Sequence, residues 1–263
     1  MKKLTIFVLG SLLVFASSCK KDDTTSTTSS AAVSTDEAAQ IVGASLASTS
    51  GGATDAMGEA AATSVDASST LKSASIYRLL KDTSFTVSGT RINAAGDTVT
   101  FNNAKTYKLT LLLDSATLVI PQNLTAVHTC DGSVSALRYT ETHLANGTFV
   151  YTNLVTVTGS TITKDSIWTM NGTYTRTGTH VIRSNAKTIS HSTTITFTNL
   201  LINKKTKVIS GGTATVTIAG SVKNKGSFTY TGTLVFNGSG VGTLTISWVS
   251  YLINLLTGNV TTK

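Results

Sequence analysis

The sequence predicts an all-β protein, a long-stranded antiparallel meander curled into a barrel or sandwich and preceded by a short helical or poorly ordered stalk. Three observations carry this. Between Thr161 and Tyr251 apolar and polar residues alternate with period two, as in Phe228, Tyr230, Gly232, Leu234 and Phe236, which places each set on one face of a pleated strand. Residues that favour tight reversals separate these runs, at Asn171-Gly172, Ser184-Asn185, Asn203-Lys204-Lys205, Lys223-Asn224-Lys225-Gly226 and Asn237-Gly238. The 263 residues include one proline, Pro121, and abundant β-branched Thr, both of which suit long strands.

In chain order, residues 1–18 read as a secretory leader. Met1-Lys2-Lys3 is basic, Leu4 to Phe15 is apolar but too short to span a bilayer, and Ala16-Ser17-Ser18 is small. Cys19 follows directly. This arrangement resembles a bacterial lipoprotein signal, with Ala16 standing where such signals more often carry Leu, and Lys20-Lys21-Asp22-Asp23 is similar to the export signal of Bacteroidota surface lipoproteins. The resemblance implies lipidation at Cys19 and a surface-exposed outer-membrane lipoprotein held to the membrane through its N-terminal lipid. Residues 19–33 then form the anchor and a tether, because Thr24 to Ser30 is all Ser and Thr. Residues 34–75 form the stalk. Ser34-Thr-Asp-Glu37 has capping-box spacing before Ala38, Ala39, Ile41, Val42, Ala44 and Leu46, and Gly51-Gly52 should end that helix. A second segment, Thr54 to Ala62, is rich in Ala and offers little to pack.

Residues 76–263 are the β domain. Candidate strands run over Phe85 to Ile92, Thr98 to Leu113, Ala116 to Ile120, Leu124 to Cys130, Val134 to Leu144, Thr148 to Thr158 and Thr161 to Met170, with hairpin turns at Ala95-Gly96-Asp97, Asp131-Gly132, Asn146-Gly147 and Gly159-Ser160. Parity puts Ile195, Phe197, Val216, Ile218, Phe228, Tyr230, Leu234, Phe236, Leu244, Ile246 and Trp248 in the core, together with Trp168. Trp248 to Leu256 is almost continuously apolar and should be covered on both sides.

Composition argues against catalysis. The acids after residue 80 are Asp82, Asp97, Asp114, Asp131, Glu141 and Asp165, mostly at expected turns or strand ends, and no Gly-Xaa-Ser-Xaa-Gly elbow occurs. His128 and Cys130 share a strand face, but no spacing forces His143, His180 or His191 beside them, and His143 is expected far from Asp131-Gly132; no metal or other cofactor is expected. With Cys19 lipidated, Cys130 is the single remaining thiol. Thr-Xaa-Thr rows superficially resemble ice-binding surfaces, which need a flatness that a twisted meander lacks.

Charge is the remaining signal. Residues 81–263 carry 15 basic and 6 acidic residues, a net +9, with no acid after Asp165. Alternating turns should gather Arg183, Lys187, Lys223 and Lys225 at one end of the sheet and Lys204, Lys205 and Lys207 at the other, with Arg176 near the second group. The expected role is non-catalytic binding or support, with an anionic envelope partner such as lipopolysaccharide, an acidic polysaccharide or another envelope protein, and no nucleic acid. The alternative is a lipocalin-like carrier of an apolar ligand. Asp97-Thr98-Val, Asp114-Ser115-Ala and Asp165-Ser166-Ile resemble the O-glycosylation acceptor of Bacteroidota, which implies Thr98, Ser115 and Ser166 as modification sites.

Overall fold

The computed structural model describes residues 32–69, 79–93, 96–115, 118–158, 161–204 and 206–263, with side chains described for these except 64–69, 79–82, 111–122 and 154–165. Cys19, Ser115's side chain and Lys205 lie outside the described residues. Helix α1 covers Thr35–Leu46, a 3-10 turn covers Ser48–Ser50, and helix α2 covers Ala53–Ser69. Eleven strands follow: β1 Leu79–Ile92, β2 Thr98–Ser115, β3 Leu118–Ser135, β4 Tyr139–Thr158, β5 Thr161–Ile182, β6 Lys187–Asn203, β7 Ile209–Val222, β8 Gly226–Phe236, β9 Val241–Ile246, β10 Val249–Asn254 and β11 Val260–Thr262. They form one antiparallel sheet in sequence order, so the meander is as expected. It is not closed, because β1 and β11 are both edges rather than neighbours.

The helices belong to the core. Ser34 caps α1 by accepting the Glu37 amide at 3.2 Å while the Glu37 carboxylate accepts the Ser34 amide at 2.8 Å. Beyond this cap α1 is buried from Ala38 to Leu46 except at Gln40. It packs on β6, β7 and β9 to β11, while α2 packs on β2, β3 and β4, all through one face of the sheet. Full burial of Ile41, Val42 and Leu46 contributes roughly 1.5–3 kcal/mol apiece. Small residues on α1 permit the closest approach: a Cβ on Gly43 would lie 2.6 Å from the Gly258 carbonyl oxygen.

Three expected turns are strand interior. Asp131-Gly132, Asn146-Gly147 and Asn171-Gly172 lie within β3, β4 and β5, and the actual β3–β4 reversal is at Ala136-Leu137-Arg138. The reason is a row on the covered face in which glycine and aromatic residues alternate from strand to strand. It runs Gly89, Phe101, Gly132, His143, Gly178, His191, Gly220 and Phe228, each paired with the next across β1 to β8. Rings lie over the neighbouring glycines: a Cβ on Gly220 would meet the Phe228 ring at 3.0 Å, and one on Gly132 the His143 ring at 3.0 Å. Phe149, Gly172 and Phe197 repeat the device. Glycine here makes room for a cross-strand ring, while the preceding Asn or Asp points outward. Asn171 has a second task, accepting the Asn199 amide at 2.9 Å where Asn199 takes φ 51° at a bulge between β5 and β6.

The opposite face is exposed and rich in Thr. Thr148, Thr173, Thr196, Thr215, Thr233 and Thr245 form one unbroken row across six strands. Of the expected core, Ile195, Phe197, Val216, Ile218, Phe228, Leu234, Phe236, Leu244, Ile246 and Trp168 are buried, and Tyr230 is half-buried. Trp248 is the exception. It is 99 % exposed at the β9–β10 turn, where a two-residue reversal puts Ser247 and Trp248 at φ 47° and 71° and takes them out of the strand parity. The apolar run after it is not covered on both sides either: Tyr251, Ile253 and Leu255 are buried, but Leu256 is exposed.

Candidate functional site

Two groups of residues could carry function, one inside the sheet and one along a row of its turns. The inner group is built from strand parity. Glu141 and His143 on β4, Arg176 and His180 on β5 and His191 on β6 all face the helices, and the register sets Glu141 opposite His180 and Gly178 between His143 and His191. Arg176 donates from Nε to Glu141 Oε1 at 2.6 Å and from Nη1 to the carbonyls of Ala44 and Ser50 at 3.2 and 3.4 Å. His180 Nδ1 lies 3.2 Å from Glu141 Oε2, His191 Nε2 3.5 Å from Oε1, and Tyr139 stacks on His180 at 4.5 Å.

Burial alone would raise the Glu141 pKa, but the Arg176 guanidinium and the histidines hold its carboxyl well below the usual carboxylate range. Arg176 is held above its ordinary value because Glu141 outweighs the cost of burial. Burial, reinforced by Arg176, lowers His143 to about 3, so its ring is neutral. Every one of these side chains is sealed from solvent. The arrangement pins the last turn of α1 to β4 and β5 through a charge-assisted network.

A related cluster joins α2 to β2 and β3, where Lys105 pairs with Glu59 and stands opposite His128, with Cys130 opposite Asn103. His128 and Cys130 do share a face, yet both are buried in mid-strand rather than beside a turn. Burial lowers His128 to about 4 and raises the Cys130 thiol. His143 is not remote from Gly132 but its direct partner. Among the described residues no group of three His, Cys, Asp or Glu is arranged to hold a metal ion.

The outer group lies along the turns β3–β4, β5–β6, β7–β8 and β9–β10, which a meander places at one end of the sheet. Arg183 ties the first two together, donating its amide to the Arg138 carbonyl at 2.9 Å and its guanidinium to Ala136 O and Ser135 Oγ at 2.8 and 3.0 Å. Lys187 opens β6 and bonds Glu37 at 2.6 Å. One strand over, Lys223 and Lys225 flank Asn224, whose φ of 63° turns the β7–β8 hairpin. Both lysines are exposed, and the ion pairs among the described residues do not include them. Arg138 and the exposed Leu137 join this rim, and sequence parity alone does not reveal them because the β3–β4 turn is masked by the Asp131-Gly132 signal.

At the other end Lys207 is exposed, whereas Lys204 bonds Asn153 Oδ1 and stands 4.6 Å over the Trp168 ring. Arg176 is in neither group of turns, being fully buried. Thr98 and Ser166 are exposed. No family model, curated protein or solved structure matches the chain.

Proposed function

We propose that the protein is a lipid-anchored, surface-exposed envelope protein whose role is binding rather than catalysis, and that it engages an anionic envelope partner through the β5–β6 and β7–β8 turns. The observation that carries this reading is the exposure of Lys223 and Lys225, which are in none of the ion pairs among the described residues, along the same row of turns as Arg183, Arg138 and Lys187. The inner Glu141 and Arg176 group supports a structural role, since it ties the Ala44 and Ser50 carbonyls to β4 and β5 and its side chains are sealed. The lipocalin-like reading finds less support, because α1 and α2 fill the face where a carried ligand would lie.

Arg183 and Lys187 hold turns together, so the informative change is Lys223→Ser with Lys225→Ser. Retention on an anionic matrix should fall, and fall further with salt, as exposed charges are screened over about 8–10 Å. A Lys108→Ser, Lys207→Ser variant removes equal charge from exposed positions elsewhere. Equal loss of retention in both variants would reduce the rim to a share of net charge and refute the reading.

A further inference from the structure

The two edges of the sheet are unlike. Strand β11 is three residues long and runs into Lys263, which leaves little backbone for another strand to pair with. Strand β1 offers 14 residues, all in register with β2 and without a bulge. Thr83 to Thr90 contains no charge and no proline, so the usual guards of a free edge are missing there. We propose that β1 pairs with β1 of a second copy of this chain, antiparallel and about a two-fold axis through Val87, so that the sheets of both copies join into one. The proposal is independent of the anionic-partner reading.

The register singles out this partner and this axis. Gly89 begins the row in which glycine and ring alternate from strand to strand, and the Phe101 ring lies 3.4 Å from where a Cβ on Gly89 would be. On the free side of β1 the row calls for another ring, just as Gly178 stands between His143 and His191 inside the sheet. A pair about Val87 puts Phe85 of the second copy there, and by symmetry puts Phe85 beside Gly89 of the second copy. An axis through Thr86 or Ser88 would instead set Phe85 against Val87 or Arg91. On the other face the Val87 axis opposes Ser84 to Thr90 and Thr86 to Ser88, hydroxyl pairs of the kind that Ser84 makes with Thr106 at 3.1 Å and Thr175 with Thr194 at 3.4 Å.

The covered face supplies the driving force. Helix α2 packs on β2, β3 and β4, and Phe85 and Val87, which face the same way, are left 37 % and 45 % exposed. Pairing lays the two Val87 side chains directly opposite each other and each Phe85 beside a bare glycine, which takes apolar surface out of water. The strand is already held for this, because Arg91 donates to the Ser48 carbonyl at 2.9 Å and to Asp55 Oδ2 at 3.1 Å and so ties the end of β1 to the helical layer. Each copy has one edge of this kind, so a two-fold pair closes on itself and growth stops at two.

The test uses the full chain carrying Cys19→Ser, so that no acyl chain contributes. Sedimentation equilibrium should give the mass of two copies. Val87→Lys sets two ammonium groups face to face on the axis and should give the mass of one, with unchanged far-ultraviolet circular dichroism. Oxidation reads the register. Val87→Cys should cross-link to its counterpart, since opposed Cα atoms lie about 4.5–5.5 Å apart and a disulfide spans that distance. Ser84→Cys should not, because it faces Thr90 and its own counterpart lies about 20 Å along the strand; Ser84→Cys combined with Thr90→Cys should restore the cross-link. Cys130 is buried, so the chain without an added cysteine is the blank. The mass of one copy for the parent chain, association beyond two, a dimer that Val87→Lys leaves intact, or cross-linking of Ser84→Cys as readily as Val87→Cys overturns the proposal.

Discussion

Replacing Glu141 by Gln keeps the volume and removes the charge, leaving the Arg176 guanidinium fully buried against two carbonyls and a neutral amide. Arg176 Nε is 2.6 Å from Glu141 Oε1, and neither side chain touches solvent. Breaking such a pair from one side costs about 3–5 kcal/mol, a fifth or more of the 5–15 kcal/mol typical of a domain. Arg176→Met should cost a similar amount, since it strands the carboxylate and also takes the donor from Ala44 O and Ser50 O. The double variant removes both charges and retains only the carbonyl loss, roughly 1–3 kcal/mol, so the two single effects should exceed the double by at least about 3 kcal/mol. Urea unfolding at pH 7.5, followed by far-ultraviolet circular dichroism, measures all three. A loss below about 1 kcal/mol for Glu141→Gln, or strict additivity in the double variant, would refute the account of this pair as the pin between α1 and the sheet.

Acidification should destabilise the protein through its neutral histidines. His128 and His143 are lowered to about 4 and about 3, below the ordinary 6.5, so as pH falls the unfolded chain takes up protons first. Each should remove about 2 kcal/mol by pH 5 relative to pH 7.5, and His128→Leu should abolish its own share; urea midpoints that do not change between these pH values would contradict the assignment. Gly178→Ala should cost about 1–3 kcal/mol, because its Cβ would collide with the Thr142 carbonyl and lie 3.1 Å from His143 Cβ. A neutral result by thermal melting would mean that the glycine-aromatic row is not tightly packed.

The meander and most of the core were legible because period-two alternation runs through most of β5 to β9, slipping only at the Asn199 bulge in β6 and at Gly211-Gly212 in β7. The turns misled for a physical reason. Asn-Gly and Asp-Gly signal a hairpin when glycine is needed for its backbone, but at Gly132, Gly147 and Gly172 it is needed for the space above it, and a single strand does not display the ring that fills that space. Splitting β3, β4 and β5 at these points separated His143 from Gly132 and hid the meeting of Glu141, Arg176, His180 and His191. A signal was available: counting outward from Ser184-Asn185 as a short turn pairs Gly178 with His191 and sets His180 beside Ile189. Trp248 escaped parity because a two-residue turn needs left-handed positions, which nothing about Ser-Trp announces. Burial of α2 was hidden in its alanines, Ala53, Ala56, Ala60 and Ala61, whose small side chains permit close approach by the sheet rather than signalling weak packing.

The placement of α1 also orders events in time. Helix α1 leaves the ribosome early, yet its bonds wait for the end of the chain: Asp36 is met by Tyr251, and the Ser48 and Thr49 amides by the carbonyls of Leu255 and Leu256. Strand pairing can proceed hairpin by hairpin as the chain lengthens, whereas the part of the α1 cover that β9 to β11 supply comes only with the last strands. A chain that lacks the last strands is therefore unable to lock α1 into its final place. Completion of the fold is reserved for a chain in which β9 to β11 are already present.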